Sequence, residues 1–318
     1  MKRLIAFLLA AVMVFALCAC GKSGASELKY ATGGTSGTYY GFSGVIANVL
    51  NEKLKGTLNL KVESTGASKA NIQMLASGDA DIAIVQNDVM YYAYTGTDLF
   101  AGGDPITSFS AVASCYPEYV QILAKKDITS IEQLSGKNVS VGDAGSGTEF
   151  NAKQILGAYN LSFDDIKVSN QSFADSADSL KNGTIDAAFV VAGYPTTAVT
   201  ELATNYDFNL LPIDADHADT LKNDYQFYYY GVIPGGTYSP VADDVPAVAV
   251  MATIVASNKV SDDVIYAFVK GLFDYKDEIS AGHVKGNELD LNTAISGVSI
   301  PWHGGAARFY TEQGLNIG

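Results

Sequence analysis

One piece of grammar occurs twice in this chain and constrains its fold more than any single motif: a short apolar strand, a glycine-rich turn ending Ser-Gly-Thr, and an amphipathic helix. The first copy runs through Leu28-Lys29-Tyr30-Ala31 and Thr32-Gly33-Gly34-Thr35-Ser36-Gly37-Thr38. Apolar residues then return at Tyr40, Val45, Ile46, Val49 and Leu50 with helical spacing. The second copy runs through Asn138-Val139-Ser140-Val141, Gly142-Asp143-Ala144-Gly145-Ser146-Gly147-Thr148 and a helix containing Ile155 and Leu156. Farther along, each copy is followed by the spacing G-x-x-D-x-A-x-V, at Gly78 to Val85 and at Gly183 to Val190. Each of these segments begins at a glycine suited to end a helix, over 71–77 and 176–182, and continues as a buried strand. Two ordered pairs at similar offsets predict two lobes built on one plan.

Strands alternating with helices over short connections predict an α/β fold with mostly parallel sheets covered on both faces. At 318 residues the chain has room for two domains. The apolar runs Phe109 to Leu123 and Val245 to Ser257 lie at opposite ends of the second copy, where they can carry the chain between lobes. The first lobe is therefore expected over 28–115 and 252–318, with helices near 261–275 and 304–314, and the second over 116–251.

The chain opens with Lys2 and Arg3, an uncharged apolar run from Leu4 to Ala19, and Leu17-Cys18-Ala19-Cys20-Gly21. A positive start, a short apolar stretch and small residues before a cleavage point describe an export signal, too short to favour a bilayer-spanning helix. The Leu-x-Ala-Cys pattern resembles a bacterial lipobox, which implies an acylated Cys20 as the mature N-terminus. Residues 21–27 then read as a flexible tether. The expected location is extracytoplasmic, anchored as a lipoprotein to the outer face of the cell membrane, or periplasmic. Once the signal is removed, only Cys20 and Cys115 remain, so no disulfide framework is available and ordinary cores must stabilise the fold.

Charge narrows the partners. The chain has 20 Lys and Arg against 34 Asp and Glu, so a nucleic acid, whose binding draws on released counterions, is excluded. Apart from Arg3 in the signal, Arg308 is the only arginine, and bidentate guanidinium clamps are largely lacking. In doubly wound sheets, ligands bind where loops and helix N-termini converge beyond the strand ends. The turns at 32–38 and 142–148, with a third at Ser64-Thr65-Gly66-Ala67-Ser68, offer backbone N–H groups and hydroxyls to a small polar solute. Helix capping is the commoner use of such Ser and Thr, but three glycine-dense turns together favour a cleft.

The expected ligand-binding residues are Thr32, Gly33, Gly34, Thr35, Thr38, Tyr39, Tyr40, Ser64, Thr65, Gly66, Ala67, Ser68, Ser146, Gly147 and Thr148. To these are added Gln86, Asn87, Gly193, Tyr194 and Pro195, which follow the two matched strands. The tract Tyr228-Tyr229-Tyr230 reads as strand packing. Catalytic arrangements fare poorly: there is no Walker A sequence, no G-x-S-x-G elbow around Ser146, and no metal-ligand spacing among His217, His283 and His303. Asp214, Asp216, His217 and Asp219 read as a solvated loop before a cation site. No cofactor, no metal and no enzymatic activity are expected, the alternatives being a surface-anchored sensor or a secreted enzyme using Ser146 or Glu149.

The segments 31–40, 64–68, Ala83-Ile84-Val85-Gln86, Val141 to Glu149 and Gly193-Tyr194-Pro195 resemble the TAXI family of TRAP-transporter solute receptors. The stretch Ile300-Pro301-Trp302-His303-Gly304-Gly305-Ala306 is similar to that family's closing motif, with Gly304 where proline is usual. The resemblance implies a type II periplasmic-binding-protein fold: two lobes, a hinge of crossing strands and a cleft that closes on solute. It also implies delivery to the membrane subunits of a sodium-coupled TRAP transporter, and a ligand such as glutamate, glutamine or a related carboxylate. With Arg308 placed in the terminal helix, a carboxylate is left to backbone N–H groups, hydroxyls and Lys69. The receptor is expected to work as a monomer.

Overall fold

A computed structural model describes residues 25–317. The export signal, Cys20 and most of the tether lie outside the described residues. The chain forms β1 (Ser26–Ala31), α1 (Thr38–Lys53), β2 (Leu58–Glu63), α2 (Ser68–Ser77), β3 (Ile82–Gln86), α3 (Asn87–Thr95) and the long β4 (Phe109–Ala124). Then follow β5 (Asn138–Ser140), α4 (Gly147–Ala158), β6 (Lys167–Ser169), α5 (Phe173–Lys181), β7 (Ala187–Ala192), α6 (Thr197–Ala203), β8 (Asn209–Leu210), α7 (Ala215–Asp224) and β9 (Tyr229–Ile233). The second long strand, β10 (Val245–Ser257), leads to α8 (Asp262–Asp274), α9 (Lys276–Gly282), α10 (Leu291–Ala294) and α11 (Gly304–Glu312).

The strands join in the order β2-β1-β3-β10-β4-β7-β5-β6, with β8 beside β4 and β9 beside β10. Ladders that join the short strands to one another are parallel, as βαβ connections require. Antiparallel ladders all involve β4 or β10. Residues Ala252 to Ala256 of β10 pair with β3, whereas Val245 to Ala249 pair with β9; Tyr119 to Ala124 of β4 pair with β7. The β10–β4 register shifts between Ala252 and Thr253 and again between Ile254 and Val255, local irregularities that bend and twist a strand pair.

The buried clusters respect this division. Two draw on residues up to Tyr116 and from Ala252 onward; the other two draw on Val120 to Val250. We call these the first and second halves.

The repeated G-x-x-D-x-A-x-V segments do the same work in both. Gly78 and Gly183 take the left-handed backbone, at φ 87° and 76°, that ends the preceding helix at little cost to glycine. The aspartate then clasps the neighbouring strand. Asp81 Oδ2 accepts from Lys29 N at 2.9 Å while Asp81 N donates to Lys29 O at 3.0 Å. Asp186 Oδ2 accepts from Asn138 N at 2.9 Å while Asp186 N donates to Asn138 O at 2.7 Å. Each aspartate thus sets the register between the first and third strands of its half. The alanine and valine that follow lie in β3 and β7, buried throughout as strands covered on both faces are.

Two local expectations need correction. β1 begins at Ser26, inside the stretch read as tether, because Ser26 N donates to Thr57 O at 3.1 Å and the strand pairs with β2 from Ser26 and Leu58 on. Of the three tyrosines, Tyr229 and Tyr230 lie in β9, but Tyr228 precedes it and its buried hydroxyl joins a polar network described below.

The closing motif is structural. His303 N donates to Ala111 O and Ala111 N to Pro301 O, hooking the segment onto β4. His303 Nδ1 then accepts from Gly305 N at the start of α11. A Cβ on Gly305 would meet Asp262 O at 2.2 Å, so its absence lets α11 lie against α8.

Candidate functional site

Three helices begin at the same place, where the two halves face each other. The Gly33 to Gly37 turn leads from β1 into α1, and its cap residue Gly37 has no side chain to bond the first-turn amides. Helix α2 starts after Ala67, in the left-handed region at φ 65° and likewise without a side-chain cap. Only the second-half helix α4 is capped, by Ser146 Oγ accepting from Glu149 N at 3.1 Å. Two helix starts in the first half therefore present amides, and the positive end of a helix dipole, without a capping oxygen. Nearby hydroxyls fasten the turns: Ser64 Oγ donates to Gly33 O, Thr32 Oγ1 to Glu63 O and Thr65 Oγ1 to Thr32 O.

The cleft between them is lined from the first half by Gly33, Gly34, Ser36, Gly37, Thr38, Tyr39, Ala67, Ser68 and Gln86, and by Glu118 on the crossing strand β4. Asp143, Thr148, Phe173, Val191 and Ala192 line it from the second. Among the described residues no lysine, arginine or histidine lines it. Its acids are Asp143, raised above the usual carboxylate range by burial, and Glu118, only 2% exposed and held well above that range by burial. The Tyr39 hydroxyl donates to Glu118 Oε1 at 2.5 Å.

Behind the cleft a buried network bridges the halves. Gln86 Nε2 donates to Asn151 Oδ1 at 2.9 Å, and Asn151 Nδ2 donates to Asp88 Oδ2 at 2.9 Å and lies 2.8 Å from the Tyr228 hydroxyl. That hydroxyl donates in turn to Gln154 Oε1 at 2.7 Å. A second bridge runs from Thr38 Oγ1 to Gly193 O, at 2.8 Å. A third joins the buried Lys285 to Tyr194, with Nζ 4.7 Å from the ring centre and bonded to Glu288 Oε1 at 2.6 Å.

Burial raises the Asp88 carboxyl to about 6. Its folded value lies above its unfolded one, so the folded state holds a proton that the unfolded chain releases from about pH 4 upward. This group's contribution to stability is thus greatest in acid and falls as pH rises from about 4 to about 6. Glu118 acts in the same direction. Asp88→Asn is expected to remove one proton's share of the slope, at most about 1.4 kcal/mol per pH unit, in urea unfolding followed between pH 4 and 7. An unchanged slope would show that Asp88 ionises normally.

Of the residues expected from sequence, Gly33, Gly34, Thr38, Tyr39, Ala67, Ser68, Gln86 and Thr148 line the cleft. Thr32, Ser64 and Thr65 brace its turns from outside the lining, and Gly66, where a Cβ would meet Ala70 at 3.5 Å, is likewise not among the lining residues. Thr35 is exposed, and Tyr40, half-buried, is not among the lining residues. Ser146 is a cap, and Gly147 lies against Gln86. Asn87 turns to the other side: its Oδ1 accepts from Met251 N and its Nδ2 donates to Gly297 O. Gly193, Tyr194 and Pro195 belong to the joint with Lys285, whose Cε would be 2.5 Å from a Cβ on Gly193. Lys69 is drawn to Leu99 O and the Phe100 ring.

The lining residues outside the expected set are Ser36, Gly37, Glu118, Asp143, Phe173, Val191 and Ala192, of which Ser36, Gly37 and Asp143 belong to the two glycine-rich turns. Glu118 had a readable signal, as the one charged residue in a 16-residue apolar strand. Among the described residues no cluster of His, Cys, Asp or Glu is placed to hold a metal ion. Asp214 instead caps α7, accepting from His217 N at 3.1 Å. No helix there is long and apolar enough to cross a membrane.

Several solved structures share this architecture. A Bordetella bronchiseptica protein is 16% identical over 92% of this chain and 98% of its own, with a TM-score of 0.56. The periplasmic aliphatic sulphonate binding protein SsuA from Escherichia coli is 14% identical over 90% of this chain and 83% of its own, at 0.51. A putative L-cystine ABC transporter protein from Listeria monocytogenes is 14% identical over 83% and 98%, at 0.50. At such identities the likeness is one of fold: the chain has the α/β fold of periplasmic binding proteins. Sequence relationship is carried by residues 30–314, which match the family described as NMT1-like, and over that span the chain belongs to the NMT1-like family.

Proposed function

We propose that this protein is an extracytoplasmic receptor whose two halves act as lobes that close on a small polar solute, a carboxylate or an amino acid, and hand it to a membrane permease. The observation that carries this reading is the cleft itself, lined from both halves and floored by two helix starts without side-chain caps. Closure has a physical drive when a solute held by the first-half turns gains contacts to Thr148 only in the closed form. Micromolar affinity, about 8 kcal/mol, is within reach of a few charge-assisted hydrogen bonds. The TAXI resemblance favours a sodium-coupled TRAP permease. The ABC-importer description of the Listeria monocytogenes protein supports import in general. An enzyme is disfavoured: Ser146 is occupied as a helix cap, and no histidine lines the cleft to activate it.

Native mass spectrometry of protein made in rich medium tests the reading. A retained small molecule, released unchanged on unfolding, is the expected result, and the same spectra report whether Cys20 carries acyl chains. Chemical turnover of the solute, or folded protein that binds no small molecule in a metabolite screen, would overturn it.

A further inference from the structure

We propose that Lys285 is a positioning residue that fixes how far the two halves close, its side chain seating in a notch at Gly193 beneath the ring of Tyr194. The inference rests on the closing-lobe reading above and names the contact that registers one half on the other.

Lys285 is only 1% exposed and lies in the short segment Val284–Glu288 between α9 and α10. That segment is built onto the first half. His283 Nδ1 accepts from Lys285 N at 3.1 Å, and the His283 ring centre stands 5.7 Å from that of Phe42 on α1. A Cβ on Gly286 would lie 2.6 Å from the Ser280 backbone, so the segment is pressed against α9, and Leu289 joins the first-half core. A buried ammonium is unfavourable without a partner. Glu288, three residues on, accepts from Nζ at 2.6 Å. Both charges of the pair thus belong to one half and travel together.

The second half adds shape and a ring. Gly193 directly follows β7, and a Cβ there would fall 2.5 Å from Lys285 Cε and 3.0 Å from Tyr116 Cε2, so glycine leaves the room that the lysine stem fills. Tyr194 covers the ammonium, its ring centre 4.7 Å from Nζ, and meets Tyr119 edge-on with centres 4.8 Å apart. Tyr116 offers a second ring at 5.7 Å. A cation is attracted to an aromatic face, and more strongly out of water. Without the lysine, the Glu288 carboxylate would be left towards rings whose faces repel it.

Two more contacts land on the same stretch of the second half. Thr38 Oγ1 donates to Gly193 O at 2.8 Å, and Ala198 N donates to Ser36 O at 3.2 Å. Ser36 and Thr38 line the cleft. Seating Lys285 in its notch therefore brings the start of α1 onto the opposite wall, beside the place where a solute would be held.

The test uses protein that native mass spectrometry shows to hold no small molecule. Labelling with acetic anhydride and peptide mapping reads how often Lys285 leaves its seat, with the exposed Lys61 as internal reference. Tyr194→Leu is expected to raise the Lys285 rate about 10- to 30-fold. Gly193→Ala should raise it as well, by pushing the lysine out of its notch. The radius of gyration from small-angle scattering separates closure from local fraying. It should increase in both variants and in Lys285→Met, which keeps an unbranched side chain and loses the charge. Circular dichroism checks that all three fold. Faster labelling at the wild-type radius would mean that only 284–288 loosens and would overturn the inference, as would a wild-type radius in Lys285→Met. Either failure leaves the receptor reading standing, since the retained solute decides that.

Discussion

Gly147→Ala is expected to weaken solute binding by roughly 30- to 1,000-fold while leaving the fold intact. Gly147 opens α4 on the second half, and a Cβ there would lie 1.7 Å from Gln86 Oε1 and 2.6 Å from the Gln86 carboxamide carbon. Gln86 cannot swing away without losing its buried bond to Asn151. Overpacking costs about 1–3 kcal/mol and a stranded buried polar group a similar amount. That penalty falls on the closed form, because parting the halves separates Gln86 on β3 from α4. The measurements are titration calorimetry and the radius of gyration with ligand, where the variant should remain extended. Gly157→Ala in the same helix is the control, since a Cβ there meets nothing within 4 Å and should leave affinity unchanged. Binding by Gly147→Ala as tight as the wild type would mean that closure does not bring these surfaces together.

The second large effect concerns stability. Phe42→Ala should cost about 3–5 kcal/mol, a large share of the ~5–15 kcal/mol that holds a domain together. Phe42 is fully buried on the inner face of α1 with Ile46 and Leu50, and meets Tyr116 edge-on at 5.2 Å and His283 at 5.7 Å. Little can collapse into the space, because Tyr116 belongs to β4, which is fixed by β10 on one side and β7 on the other. The earliest urea transition, read by far-ultraviolet circular dichroism, should move to markedly lower denaturant. A loss below about 1 kcal/mol would show that α1 packs more loosely than this.

Much of this architecture is legible before any coordinate. The doubled strand, turn and helix are local: periodicity sets the helices, and glycines at 78 and 183 end them in a backbone conformation other residues avoid. The motif aspartates Asp81 and Asp186 repeat because each half must solve the same register problem. Even the long crossing strands show as apolar runs too extended for a sheet strand confined to one half.

The sequence by itself thus determined an α/β fold with a doubled strand, turn and helix and two long apolar strands, and it singled out the turns at 33–38 and 67–68, which line the cleft in the structure. It did not sort helix caps from lining residues, and Asn87 and Gly193 to Pro195 stand outside the cleft lining, because neighbours in a chain leave a strand end in different directions. Only the tertiary structure decided that Glu118 from β4, Gln86 from β3 and Asn151 from α4 meet across the two halves. Spacing cannot encode such a meeting: these residues come from three separate elements, and it is the packing of whole sheets and helices that sets which side chains lose water together.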